Sequence, residues 1–240
     1  MIAEQLQTGI NPESEIRYTI RRSNRARYMH INARRDRGVE VVIPRRMALK
    51  HVEPFVQQHR QWIKKQIEQL RLGQPVELPA EIHLAAISEI WSVHYRFGDS
   101  STWRYLEEYP NHLQIRGPAE DTGACINVLH RWLRRQACKF LPGLLYEISR
   151  KCELEYRKVS VRTQKSRWGS CSSKGSISLN DRLILLPCEL VEYVLIHELC
   201  HTRHMNHSQE FWSLVARYSP SHKNLDKRLR HAQTALPTWV

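Results

Sequence analysis

His197 and His201 stand four residues apart with Glu198 beside the first, and this spacing constrains the fold more than any other feature of the 240 residues. On an α-helix, residues four apart share a face, about 40° apart around the axis, so both imidazoles can reach one ion. Val191, Val194, Leu195 and Leu199 give the same segment an apolar face to bury. A helix is therefore expected from about Cys188 to Arg203. Glu198 falls beside the histidine face, within reach of a water on the ion rather than of the ion itself. Zinc lowers the pKa of such a water towards about 7, and a neighbouring carboxylate can take its proton as it attacks a carbonyl.

A catalytic zinc needs a third protein ligand and one open position. His207 follows His201 by six residues, the spacing of the third histidine in H-E-x-x-H-x-x-G-x-x-H. His204 occupies the glycine position of that pattern and, three residues after His201, competes for the ion. His207 is the expected ligand, because Met205-Asn206 can end the helix and bring the chain round. The expected site is thus His197, His201 and His207 on zinc, with Glu198 as catalytic base; the competing reading is a histidine-rich surface helix without metal. Cys200 points about 60–100° away from one or other histidine and reads as a packing residue, while Cys171 has no assigned role. Arg167, Tyr193 and His222 are candidates to stabilise an oxyanion.

Composition excludes some classes. No apolar run approaches the roughly 20 residues that cross a bilayer, so no membrane partner is expected. The stretch up to Glu15 is polar, without the basic-then-apolar pattern of a secretory signal. The six cysteines contain no C-x-x-C pair, which argues against a disulfide framework or a cysteine zinc site; reduced thiols in a cytoplasmic protein are expected. The net charge of +13 is clustered: eleven Lys/Arg against two acids between Ile16 and Lys50, and seven against one between Arg157 and Arg182. Such clustering suits a polyanion such as nucleic acid, and mere solubility is the equal alternative. The strip from Arg17 to Arg46 is the better nucleic-acid candidate, through phosphate contacts.

Along the chain, Ile16 to Ile20, Tyr28 to Ile31 and Val39 to Ile43 read as strands, with a turn at Asp36-Arg37-Gly38. A helix fits Ala48 to Leu72 and stops at Gly73-Gln74-Pro75. The pattern is strand-like again from Glu81 to Gly117, where Trp91-Val93-Tyr95-Phe97 alternates and Gly98-Asp99-Ser100 breaks it; a half-buried strand is favoured there over a base-stacking platform. No internal repeat is visible. A long amphipathic helix is expected from Ile126 to about Cys152, bent at Pro142-Gly143. Strands at Lys158 to Thr163 and Ser176 to Leu179 follow, joined through Arg167 to Gly175, which is either a cleft rim able to pair with an extended peptide or a structural hairpin with Trp168 in the core. Glu210 to Tyr218 is a short helix before a basic C-terminal segment. Residues 1–120 are expected to form a basic, strand-rich region with one helix, and 121–240 the metal-bearing domain.

Ser166-Arg167-Trp168-Gly169-Ser170-Cys171-Ser172, Ile177-Ser178-Leu179-Asn180, Pro187, Tyr193 to His201, Asn206-His207-Ser208 and Phe211-Trp212 resemble the YgjP-like metallopeptidase family. That family is related to the SprT/Spartan-type proteases that act on DNA-bound proteins. Arg21 to Arg27 also looks like its front end. The resemblance implies an α+β, zincin-like metallopeptidase domain: a long helix, a small β-sheet and the metal helix beneath it. It supports His207 over His204, makes Glu198 the base, and points to protein or peptide substrates in a bacterial cytoplasm. DNA-associated substrates follow only by analogy with relatives. The alternatives are a zinc-containing nucleic-acid-binding module without peptidase activity, against which Glu198 argues, or a zinc amidase acting on small substrates.

Overall fold

A computed structural model describes residues 7–10, 16–34, 38–69, 76–98, 100–108, 110–164 and 166–240. The expected breaks at Asp36-Arg37, Gly73-Gln74-Pro75 and Asp99 lie outside the described residues. The chain divides into two compact units, Met1–Val76 and Glu77–Val240.

In the first unit, β1 (Gln7–Ile10), β2 (Arg17–Ser23), β3 (His30–Arg34) and β4 (Gly38–Pro44) form a sheet of order β1-β2-β4-β3. β2 and β4 are parallel and the other pairs antiparallel. β4 is central, and its run from Val39 to Ile43 is buried throughout, as β-branched residues covered on both faces should be. Glu40 lies within that run and is matched by Arg21, whose Nε stands 3.0 Å from its carboxylate; an unpaired buried charge there would be costly. The helix expected over 48–72 is two helices, α1 (Val52–Gln58) and α2 (Arg60–Gln69). His59 interrupts them: its N–H is shared between the carbonyls of Phe55 and Val56, and its ring Nδ1 also bonds Phe55 O at 2.8 Å. Val52, Val56 and Ile63 pack with Tyr18, Val41 and Ile43 in this unit's core.

The second unit opens with β5 (Glu81–Leu84), β6 (Glu89–Phe97), β7 (Arg104–Glu108) and β8 (His112–Gly117), in the order β5-β6-β8-β7. Its pairings repeat those of the first sheet, with β6 and β8 parallel and the others antiparallel. The topological repeat is not visible in the residues, because strand order is set by long-range pairing. Trp91 and Val93 alternate inward, so this segment is the half-buried strand expected.

The single helix α3 (Thr122–Cys152) follows, capped by Asp121, whose carboxylate accepts from Ala124 N at 3.0 Å. It continues through Pro142 and ends at Glu153, whose φ of 52° is left-handed, with Leu154 N–H bonding back to Ser149 O. Trp132 on α3 is fully buried and meets Trp91 edge-on, ring centroids 5.2 Å apart. Gln136 on α3 donates to Glu107 on β7. These contacts explain why the division falls between Val76 and Glu77 rather than at 120/121: the strands of 81–117 share one core with the helix behind them.

Next come β9 (Lys158–Arg162), β10 (Gly169–Cys171) and β11 (Ser176–Asn180), in the order β10-β11-β9, with β9 parallel and β10 antiparallel to β11. The expected connection at Arg167–Gly175 therefore contains a short strand at the sheet's edge. α4 (Cys188–Cys200) ends three residues before the expected limit, and α5 (Gln209–Tyr218) matches expectation closely. The basic C-terminal segment is a helix, α6 (His222–Ala235), whose Leu225, Leu229 and Ala232 face the core at helical spacing. Among the described residues no helix is long and apolar enough to cross a membrane.

A chain beginning at Glu77 is expected to keep one cooperative thermal transition, and a chain beginning at Asp121 to lose it, since Trp132 would lose Trp91 and the sheet beneath. Circular dichroism melts of the two fragments check this, and equal melting of both would contradict the shared core.

Candidate active site

α4 is buried on nearly all sides: Leu190, Val191, Val194, Leu195, Ile196 and Leu199 lie in the core, packed against α3, α5, α6 and β10. The helix therefore has one orientation, and it brings His197 and His201 onto the same side near its C-terminal end. His201 is the C-cap residue, and the chain then turns through Thr202, Arg203 and His204. Ser208 stops the turn by capping α5, its hydroxyl accepting from Phe211 N, and so fixes His207 immediately before that helix.

The three imidazoles meet. His197 Nε2 lies 3.2 Å from His201 Nε2 and 3.2 Å from His207 Nε2, and the three ligand atoms are all within 4.8 Å of one another. Two nitrogens bound to one tetrahedral zinc, each about 2.0–2.1 Å from it, stand about 3.3 Å apart. His201 Nδ1 donates to His204 O at 3.0 Å, since a carbonyl only accepts; this leaves the Nε2 lone pair facing the cluster, as metal-binding histidines require. His204, the competing residue, thus contributes its backbone carbonyl to this arrangement. Burial, and then the neighbouring histidines, lower the His197 pKa to about 4; burial also lowers that of His201. Neutral rings are the ligand form.

Aromatic side chains clamp the group. Phe211 stacks on His201 with centroids 4.4 Å apart, and Trp212 stacks on His207 at 5.6 Å. Both come from one turn of α5, whose first residues are placed by the Ser208 cap.

Glu198 is 6% exposed, and its Oε2 has no hydrogen-bond partner. An unpartnered buried oxygen costs about 1–3 kcal/mol, so its presence beside three converging imidazoles suits a group that receives its partner from a ligand. Burial pushes the carboxyl up to about 7, with Arg167 pulling the other way. The opposite wall is Gly169 on β10: a Cβ there would stand 2.6 Å from Glu198 Oε1 and 2.7 Å from its Cγ. Glycine is needed at 169 for space alone.

Asn180 holds this wall in place. Its side-chain amide donates to Gln164 O and Arg167 O at 2.9 and 2.8 Å, its Oδ1 accepts from Arg182 N, and its own N–H bonds Trp168 O. Three of these hydrogen bonds, all from one buried residue, fix the loop carrying Arg167, Trp168 and Gly169. Sequence reasoning missed this role; the only signal was an asparagine ending an alternating strand.

The remaining candidates separate. Tyr193 is buried with its hydroxyl facing Asp226, and burial followed by that carboxylate raises its pKa to about 12. His222 stacks on Trp212 and bonds Ser219 O. Arg167 is the one whose charge reaches Glu198. Cys200 is fully buried against Cys152, its thiol pushed up to about 12 by burial, and is the packing residue expected. Cys171 is half-buried, donates to Ser172 O, and lies outside the imidazole group. Trp168 is half-buried against the core, while β10 remains at the sheet edge.

No curated protein matches the chain. Among solved structures it is similar to the zymogen of the metallopeptidase abylysin from Pyrococcus abyssi (28% identity, TM-score 0.35, covering 38% of this chain and 91% of that one). It is also similar to the zymogen of the metallopeptidase jannalysin from Methanocaldococcus jannaschii (19%, 0.35, 39% and 96%). The profile of the YgjP-like, metallopeptidase domain family matches residues 27–232. That span takes in most of the first unit, the glycine wall and all three converging histidines: the chain belongs to the YgjP-like metallopeptidase family.

Proposed function

We propose that this metallopeptidase is zinc-dependent, with His197, His201 and His207 as ligands and Glu198 as the general base. The observation that carries the reading is the pair of 3.2 Å imidazole contacts beside a buried carboxylate oxygen without a partner. Three neutral nitrogens and no thiolate form a donor set that zinc accepts. When bound, zinc supplies Lewis-acid polarisation of the scissile carbonyl and lowers the pKa of water. Glu198 takes the proton from the attacking water and returns it to the departing amide nitrogen. Gly169 leaves room for that carboxylate, and the Asn180-pinned loop keeps the wall from shifting. Arg167, the candidate whose charge reaches Glu198, would face negative charge developing on the carbonyl oxygen. An extended peptide can add to the open edge of β10, using main-chain hydrogen bonds for affinity. Proteins bound to DNA are the substrate class that the +13 charge favours.

Untagged protein is expected to carry one zinc per chain by elemental analysis. His197→Ala and His207→Ala should lose it, and His204→Ala should keep it, because the His204 contribution is a backbone carbonyl. Cleavage of an unfolded protein should stop on chelation and return with zinc. Glu198→Gln should lower it by roughly 10²–10⁴-fold with zinc retained. A metal-free native chain, or full cleavage by Glu198→Gln, would sink the reading.

Gly169→Ala should lower cleavage by roughly 10²-fold through displacement of the Glu198 carboxylate. Shortening that residue should relieve the collision, so Glu198→Asp is expected to cost less in the Gly169→Ala background than in the wild type. Simple additivity of the two changes in a kinetic cycle would show that the contact does not position Glu198.

A further inference from the structure

Parallel pairing of β2 with β4 brings together two segments some twenty residues apart in sequence. Ser23 is the register partner of Pro44, so the loop after β2 and the turn after β4 emerge at one corner of the sheet. The loop runs Ser23-Asn24-Arg25-Ala26-Arg27-Tyr28-Met29-His30, the turn Pro44-Arg45-Arg46-Met47-Ala48-Leu49-Lys50-His51, and neither contains an acid. Arg25, Arg27, Arg45, Arg46 and Lys50 are all exposed, and among the described residues no carboxylate pairs with them. The nearby acids are engaged elsewhere, Glu40 by Arg21 and Glu53 by the Tyr18 hydroxyl.

The corner is also held in shape. Ser23 Oγ accepts from the N–H groups of Arg25 and Ala26, and Arg22 Nη1 donates to Arg45 O and Met47 O at 2.6 and 3.0 Å. Tyr28, the residue after Arg27, is 81% exposed. A tyrosine ring left in water beside arginines gives up burial that would stabilise the fold, and offers a flat face instead.

The second sheet supplies an internal comparison, because it has the same strand order and pairings. Its matching corner is built from Gly98, Ser100 to Trp103 and Gly117 to Asp121, which among the described residues carry no Lys or Arg and include Glu120 and Asp121. The topology therefore does not require a basic corner. Solubility does not require one either, since it is served by charge spread over the surface.

We propose that this corner of the N-terminal unit is a single-stranded nucleic-acid site, with the five cations on phosphates and Tyr28 stacked on an unpaired base. Phosphate contacts make the affinity salt-dependent, and stacking on an aromatic face needs a base free of its own stack. An anionic membrane would use the same cations and accept a tyrosine ring at its headgroup level, so vesicles form one arm of the test. This binding does not depend on the zinc site, so it can fail while the peptidase reading stands, and the reverse.

The test is fluorescence anisotropy of the full chain with a labelled mixed-sequence single strand, the matching duplex and phosphatidylserine vesicles, over a salt series. Single-strand binding is expected to be tightest, with log K against log salt sloping about −3.5 for five neutralised phosphates. Arg25→Ala/Arg27→Ala and Arg45→Ala/Arg46→Ala should each flatten that slope by about 1.4. Arg150→Ala/Lys151→Ala, which removes two exposed cations of the second unit, should leave it unchanged. Tyr28→Ala should weaken single-strand binding roughly 5- to 100-fold without altering the slope; its exposure means the fold should be unaffected, checked by an unchanged melt. Absence of binding, equal or tighter binding to duplex or vesicles, or full affinity in Tyr28→Ala would overturn the proposal.

Discussion

Everything at the candidate site depends on α4 being buried around almost its whole circumference. Six aliphatic side chains on that helix lie in the core, and burying each is worth about 1.5–3 kcal/mol. Against that sum, the unpartnered Glu198 oxygen costs about 1–3 kcal/mol and is tolerable. An amphipathic surface helix with a wet face could carry the same histidines, but its carboxylate would find water and its orientation would be looser. Burial therefore fixes where His197 and His201 point, and leaves the Glu198 Oε2 without a hydrogen-bond partner.

The second wall is made differently. β10 is only three residues long, and its pairing with β11 is too little to position a cleft. Asn180 supplies the rest by capturing two carbonyls of the preceding loop while its own N–H takes a third. Buried, hydrogen-bonded asparagine is costly unless every bond is made, so the residue holds the loop in one arrangement. Gly169 converts that arrangement into contact with Glu198, since the wall can approach the carboxylate only where no Cβ intervenes.

How much of this could be read beforehand follows from the range of the interactions involved. The helix carrying His197 and His201 and the chain's return to His207 are local: four-residue spacing, then Ser208 as a helix cap, a residue type whose preference is strong. The α+β class was equally legible from alternation and helical spacing. The unit boundary was not, because both sheets read alike as runs of short strands, and long-range contacts such as Trp91–Trp132 and Gln136–Glu107 decide which sheet belongs to α3. α6 was passed over because its charge masked an apolar stripe of only a few residues. The break at His59 rests on one side-chain bond to Phe55 O, which no periodicity reveals. Asn180 and Gly169 act through contacts 13–29 residues away in sequence, and composition carries no trace of those.

The two like-ordered sheets show what topology does and does not dictate. Each has a parallel central pair, and in each the exits of that pair are neighbours. In the second unit those exits are acidic or neutral, and the chain leads straight from them into α3, whose first turn is capped by Asp121. In the first unit the same position carries five exposed cations, unpaired among the described residues, and an exposed tyrosine. Mutual repulsion among cations gathered at one corner is a standing cost at low salt, and a fold that tolerates acids at the equivalent corner has no structural reason to bear it. A polyanion that releases counterions on binding gives the charge a use, and the tyrosine gives it a preference among polyanions.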